Sequence, residues 1–160
     1  MHPRNKHING YDIIKLVAAC PKLKTHVIKN PSGRDTINFS DPKAVKALNQ
    51  ALLIADYNLD YWDIPSSYLC PPVPGRADYI HAIADHLGRF NRGTPPEGKK
   101  IKGLDIGTGA NAIYPIIAIR EYSWQMAGAE IDPIAVDNIK KLIALNQVLK
   151  NSFEIRHQQN

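Results

Sequence analysis

Gly103-Leu104-Asp105-Ile106-Gly107-Thr108-Gly109-Ala110-Asn111 is the stretch on which the reading of the chain turns. Ile101 to Ile106 is a short apolar run ending in glycines, the pattern of a buried strand that breaks into a tight turn. The rhythm continues toward the C-terminus. Ala112 to Arg120 reads as a helix and Trp124 to Ile131 as a second strand. Asp132-Pro133 caps a long helix expected to reach about Leu149, and Phe153 to Arg156 begins a third strand. Strand, helix, strand, helix, strand predicts a parallel sheet with right-handed crossover helices, the doubly wound nucleotide-binding class.

Glycines at 107 and 109 allow a turn in conformations that side chains forbid, and let a bulky ligand approach the backbone. Such a site needs an acidic residue at the end of the next strand to accept hydrogen bonds from ribose hydroxyls. Ala127-Gly128-Ala129-Glu130-Ile131-Asp132 supplies it, with Glu130 lying 23 residues after Gly107. Two cofactors compete for the pattern, because Gly107-x-Gly109-x-x-Ala112 also satisfies the dinucleotide fingerprint of NAD enzymes. Asp105 favours S-adenosylmethionine: a carboxylate two residues before the first glycine would face the cationic amino-acid end of that cofactor and repel a pyrophosphate. An NAD-binding oxidoreductase stays the rival, as does a tight turn that holds no cofactor.

Upstream, the chain reads as helices joined by turn-rich segments. Tyr11 to Ala19 is a short helix stopped by Pro21, and Asn30-Pro31-Ser32-Gly33 is a turn leading into a short strand, Arg34 to Phe39. Asp41-Pro42 supplies an N-cap and a first-turn proline for a helix over about 42–56, with Val45, Leu48 and Leu52 at helical spacing. Ile64 to Gly75 is too proline-rich for regular structure and is expected to be an ordered loop or lid before a helix at about 76–90. Gly93 to Lys100 is the linker candidate, which divides the chain into a mainly helical region, 1–98, and a nucleotide-binding half-domain, 99–160.

The 160 residues are 44% hydrophobic and 22% charged, an ordinary balance for one compact domain. No apolar run approaches the roughly 18 residues that cross a bilayer, and the first residues lack the apolar core of a secretory signal. Cys20 and Cys70 are in no metal-ligand spacing, so reduced thiols, no metal and a cytoplasmic location are expected. The net charge of +5 is unevenly spread: residues 1–50 hold nine Lys/Arg against three Asp/Glu, whereas residues 51–160 hold eleven against twelve. A solvated basic face and a polyanion contact both fit that excess.

Several strings resemble one family. They are Met1-His2-Pro3-Arg4-Asn5, Phe39-Ser40-Asp41-Pro42-Lys43-Ala44-Val45, Trp62-Asp63-Ile64-Pro65, Leu69 through His81, and Asp105 through Pro115. The resemblance is to the bacterial 23S ribosomal RNA adenine N6-methyltransferases, whose eukaryotic relatives act on U6 small nuclear RNA and other hairpins. It implies a Rossmann-like S-adenosylmethionine-dependent methyltransferase fold, preceded by a mainly helical RNA-binding region. It also implies a cofactor contact for Arg76, paired with the methionyl carboxylate, a backbone contact at Gly107 and the ribose acceptor role for Glu130. The RNA-engaging part of the family maps onto the basic region, so Arg4, Lys6, Lys29 and Arg34 are expected to meet 23S rRNA. Tyr79 and His81 read as packing residues, and Trp62 as a core or lid anchor rather than a stacking platform.

Enzymes of this class carry Asn/Asp-Pro-Pro-aromatic, whose amide and ring grip a flipped adenine. Cys70-Pro71-Pro72-Val73 and Thr94-Pro95-Pro96-Glu97 share only the double proline, and the sequence holds no other candidate. The chain is therefore expected to be the cofactor-holding first half of a longer enzyme, and by itself an RNA- or cofactor-binding module without catalysis. Its oligomeric state is open.

Overall fold

The computed structural model describes residues 1–159. Its centre is a parallel sheet of three strands, β3 (Lys102–Ile106), β4 (Gln125–Glu130) and β5 (Phe153–His157), in that order. A short antiparallel hairpin, β1 (Val27–Lys29) and β2 (Asp35–Ile37), lies upstream. The helices are α1 (Ile13–Ala19), α2 (Pro42–Tyr57), α3 (Val73–Gly88), α4 (Ile113–Tyr122) and α5 (Pro133–Leu145), with a 3-10 turn at Pro21–His26. The three-strand parallel sheet with crossover helices α4 and α5 is a Rossmann-like arrangement, as the strand–helix alternation predicts.

Helix α4 shows how the parts are joined. Its first seven residues are apolar or aromatic, with Ile113, Ile116, Ile117, Ala118 and Ile119 buried, and such a stretch needs packing partners on more than one side. One side lies on β3 and β4, the other on α2 and α3. Helix α2 presents Ala44, Leu48, Ala51, Leu52 and Leu53 to the same interior. A single hydrophobic core thus runs from Ile13 to Phe153, through both segments.

Local chemistry sets the helix ends. The Asp41 side chain accepts from Lys43 N at 2.9 Å to open α2, and left-handed Asn58 closes it. Helix α3 begins at Val73, earlier than expected, because Pro72 and Pro74 occupy the cap and first turn, where a missing N–H costs nothing. Helix α5 stops at Leu145 instead of about Leu149. The cause is Asn146, fully buried, whose side chain accepts from Asp60 N and Tyr61 N and donates to Tyr61 O and Leu142 O. Those four bonds satisfy the amide and tie the loop after α2 to the end of α5.

Among the described residues, one face of the three-strand sheet is covered and the other is open. Met126, Gly128 and Phe153 point toward α4 and α5 and are buried, while Leu104 and Ile106 on the other face are 59% and 82% exposed. Parallel sheets are ordinarily covered on both faces. No helix among the described residues is long and apolar enough to cross a membrane, and none of their His, Cys, Asp or Glu side chains cluster to hold a metal.

The first eight residues form a strap across α3 and α4. Asn5 donates to Pro74 O and to Asp78, and His2 reaches Asp78 through its N–H and Asp85 through its ring. Burial holds His7 and His81 below the usual histidine pKa, so the fold favours the neutral form of both. The unfolded chain therefore binds more protons at mildly acid pH, and stability is present above about pH 6.5 and lost as pH falls toward the depressed native values. Urea midpoints should drop between pH 7.5 and 5.5, with up to about 1.4 kcal/mol per pH unit for each extra proton. Equal midpoints at the two pH values would contradict this origin for acid sensitivity.

Candidate cofactor-binding site

The turn after β3 is built by two left-handed glycines, Gly107 at φ 71° and Gly109 at φ 63°, with Ala112 also left-handed at the cap of α4. Gly107 N and Thr108 N both donate to Ala129 O, at 2.8 and 3.2 Å, which bends the turn onto the end of β4. Gly128 permits that approach: a Cβ there would stand 2.8 Å from the Thr108 methyl carbon. Glu130 completes the loop. Its carboxylate accepts from Gly109 N at 2.8 Å through one oxygen, and from Ile131 N and Asp132 N at 2.8 and 3.1 Å through the other.

Asp105 is half-buried beneath this turn, and its pKa is raised, first by loss of water and further by the Glu130 charge. The Thr108 hydroxyl opposes the shift, although its buried oxygen makes no well-formed hydrogen bond. The site thus concentrates negative charge, left-handed glycine backbone and one unpartnered buried hydroxyl. That donor set suits a ligand with a cationic end and ribose hydroxyls, and disfavours a pyrophosphate.

The proline-rich segment is anchored to the site rather than free. Trp62 is completely buried, and its indole N–H donates to Asn111 O at 3.0 Å. Asn138 of α5 donates to both Asp63 O and Ala110 O, at 2.9 and 2.8 Å, clamping the segment and the glycine turn to one helix. Tyr68 donates to Asp132, which holds that carboxyl below its usual range and pushes the phenol up to about 12. Nothing in the spacing of Tyr68 or Asn138 singles them out, because the chain neighbours of each say nothing about a partner 28 or 64 residues away.

Asp105, Gly107, Gly109 and Glu130 are therefore brought together. Arg76 lies at the start of α3 with its guanidinium on Tyr114 Oη at 2.8 Å, beside the first turn of α4. The basic residues divide. Arg4 bonds Asp85 at 2.6 Å and the Tyr122 hydroxyl at 3.1 Å. Lys6 lies 2.8 Å from Glu121, off the hydrogen-bonding direction, and donates to Asp56 O at 2.9 Å. Both cations fasten the strap to the body of the protein. Lys29 pairs with Asp35 across the hairpin at 2.7 Å, and Arg34 is exposed at its turn without an ion-pair partner among the described residues.

A family model described as RNA methyltransferase matches residues 1–160. The ribosomal RNA large subunit methyltransferase F of Vibrio campbellii is 49% identical over 158 residues, 99% of this chain and 40% of that protein. Its namesake in a Psychrobacter species is 51% identical over 160 residues, all of this chain and 48% of that protein. The chain thus spans less than half the length of these curated relatives. Among solved structures, the N-terminal domain of human METTL16 in complex with SAH superposes with a TM-score of 0.86 at 34% identity, over 100% of this chain and 60% of that one. The human METTL16 catalytic domain in complex with a MAT2A 3′UTR hairpin gives 0.84, also at 34%, over 100% and 52%. With a match across every residue, the chain belongs to the RNA methyltransferase family.

Proposed function

We propose that the chain holds S-adenosylmethionine for methyl transfer to N6 of an adenine in 23S ribosomal RNA, in the cytoplasm. The observation that carries this reading is the pair of carboxylates gathered at the glycine turn, Asp105 half-buried beneath it and Glu130 bonded to Gly109 N at 2.8 Å. The relatives named as large-subunit methyltransferases support the substrate, and the SAH complex of the human neighbour supports the cofactor. The cofactor supplies a methyl group activated on a sulfonium. Asp105 would face its cationic amino-acid end and Arg76 its carboxylate. The backbone at Gly107 and Gly109 would lie against it. Glu130 already accepts three N–H groups and, with about four acceptor positions on a carboxylate, keeps room for a ribose hydroxyl.

Calorimetric titration with SAH and with NAD tests the reading. Heat from SAH and none from NAD is the expected result, and the reverse would make the chain a dinucleotide-binding domain. Asp105→Asn sharpens the test because its two effects have opposite signs. A carboxyl whose native pKa is raised loses stability as pH climbs from the unfolded value through the native one, so the neutral amide should raise Tm at pH 7. The same change removes the charge that attracts the cofactor and should weaken binding by about 1.5 to 3 kcal/mol. Unchanged SAH affinity in the variant would detach Asp105 from the site.

A further inference from the structure

Of the nine Lys and Arg in residues 1–50, Arg4, Lys6, Lys15, Lys29 and Lys46 are ion-paired. Lys22, Lys24, Arg34 and Lys43 are exposed and have no ion-pair partner among the described residues. Three of these four converge on one feature. Phe39 stands 59% exposed on a ridge, with a cleft of about 340 Å3 containing Arg34 on one side. On the other side is a groove of about 710 Å3 that runs between α2 and the proline-rich segment, with Lys43 on its wall. Lys22 and Lys43 share the shallow depression next to it.

The groove has an apolar floor of Pro42, Val45, Ile64 and Pro65, and a far wall of Tyr68 and Leu69, the latter 91% exposed. Its volume is within the roughly 300 to 1,000 Å3 of small-ligand sites. It also has a direction. Tyr68 at its wall bonds Asp132, two residues beyond Glu130, so the groove leads from the hairpin toward the cofactor turn. The acidic groups nearby are occupied: Asp63 pairs with Lys46 at 2.5 Å, Asp35 in the cleft beside Arg34 pairs with Lys29 at 2.7 Å, and Asp41 caps α2.

We propose that this groove holds a single-stranded segment of the RNA, with a base stacked on Phe39 and phosphates met by Arg34, Lys22 and Lys43. The inference rests on the methyltransferase reading and assigns its substrate track. An aromatic face offered beside unpaired cations is the chemistry of single-strand binding, in which bases stack without regard to sequence and the backbone follows positive charge. A duplex keeps its bases stacked inside and would leave Phe39 without a partner. A protein segment would gain from the apolar floor but would not need free cations of one sign along both approaches. The track also accounts for the distribution of charge, since Arg4 and Lys6 are already committed to the strap.

Fluorescence anisotropy of the 160-residue chain with a labelled single-stranded RNA of mixed sequence tests this, with SAH binding measured on the same samples. Phe39→Ala should weaken RNA binding about tenfold. Lys43→Gln should weaken it and lower the slope of log affinity against log salt by about one. Lys140→Gln, on α5 and paired only with Asp137, should change neither. All three positions are exposed, and melting curves establish that the variants fold. SAH affinity should be unaltered in each. Wild-type RNA affinity in the Phe39 and Lys43 variants overturns the groove while leaving the cofactor site intact. So does an absence of RNA binding by a chain that binds SAH, equal competition by a duplex of the same strand, or equal competition by polyglutamate. Loss of SAH binding by the unsubstituted chain would instead refute the methyltransferase reading.

Discussion

Glu130→Ala should lower affinity for SAH by about 1 to 3 kcal/mol, the range for losing a charged hydrogen-bond acceptor. The structure adds a second effect that the role of ribose acceptor does not contain. Glu130 accepts from Gly109, Ile131 and Asp132, so its removal takes the protein acceptor from three backbone N–H groups at once. The turn should loosen in the absence of ligand, and amide exchange at Gly109 and Ile131 should quicken. Glu130→Gln separates the two contributions. Its single carbonyl can retain part of the backbone network, while its amide turns a donor toward groups that need an acceptor. A folded Glu130→Ala variant with unchanged SAH affinity would remove this side chain from the site, whatever the exchange rates did.

The elements that sequence resolves well are those with local causes. Asp41-Pro42 and Asp132-Pro133 each open a helix where expected, because an acceptor side chain followed by a fixed φ acts within one turn. The strands around the glycine turn agree to within a residue or so, since apolar runs bounded by glycines have few alternatives. The misses have non-local causes. The end of α5 is set by Asn146 meeting Asp60 and Tyr61 from far upstream, and β1 is only three residues long and gains its identity by pairing with β2. The proline-rich segment is irregular, as its composition implies, yet the bonds that fix it run from Trp62 to Asn111 and from Tyr68 to Asp132.

The site divides along the same line. Asp105, Gly107, Gly109 and Glu130 form a motif whose members are linked by one strand, one turn and the next strand, so spacing suffices to bring them together. Charge in the basic region is different. A count of lysines and arginines shows an excess but not which of them are spent on partners, and Arg4 and Lys6 are spent. Their acidic partners, Asp85 and Glu121, belong to α3 and α4, far along the chain from either cation.

The largest effect should appear in a methyl-transfer assay. A polypeptide of these 160 residues is expected to bind cofactor and RNA yet transfer no label to protein-free 23S rRNA, while a chain of the relatives' length should turn over. The reason is positional. Methyl transfer to an exocyclic amine needs the nitrogen lone pair held in line with the methyl group, and correct placement of two reactants can supply roughly 7 to 11 kcal/mol. The sequence has no Asn/Asp-Pro-Pro-aromatic to grip the amine, and the relatives extend over more than twice the matched length. The open sheet face points the same way. Leu104 and Ile106 carry apolar surface on a strand that also has one edge unpaired among the described residues, next to the turn where the cofactor would lie. Further strands and helices packed there would cover that surface and bring new side chains to the end of β3. Until they do, an unpaired edge strand invites association with a second copy. Sedimentation of the 160-residue chain should therefore reveal concentration-dependent self-association, diminished by Leu104→Lys. Turnover by a sample whose intact mass matches these residues alone would place the amine-gripping groups within this chain.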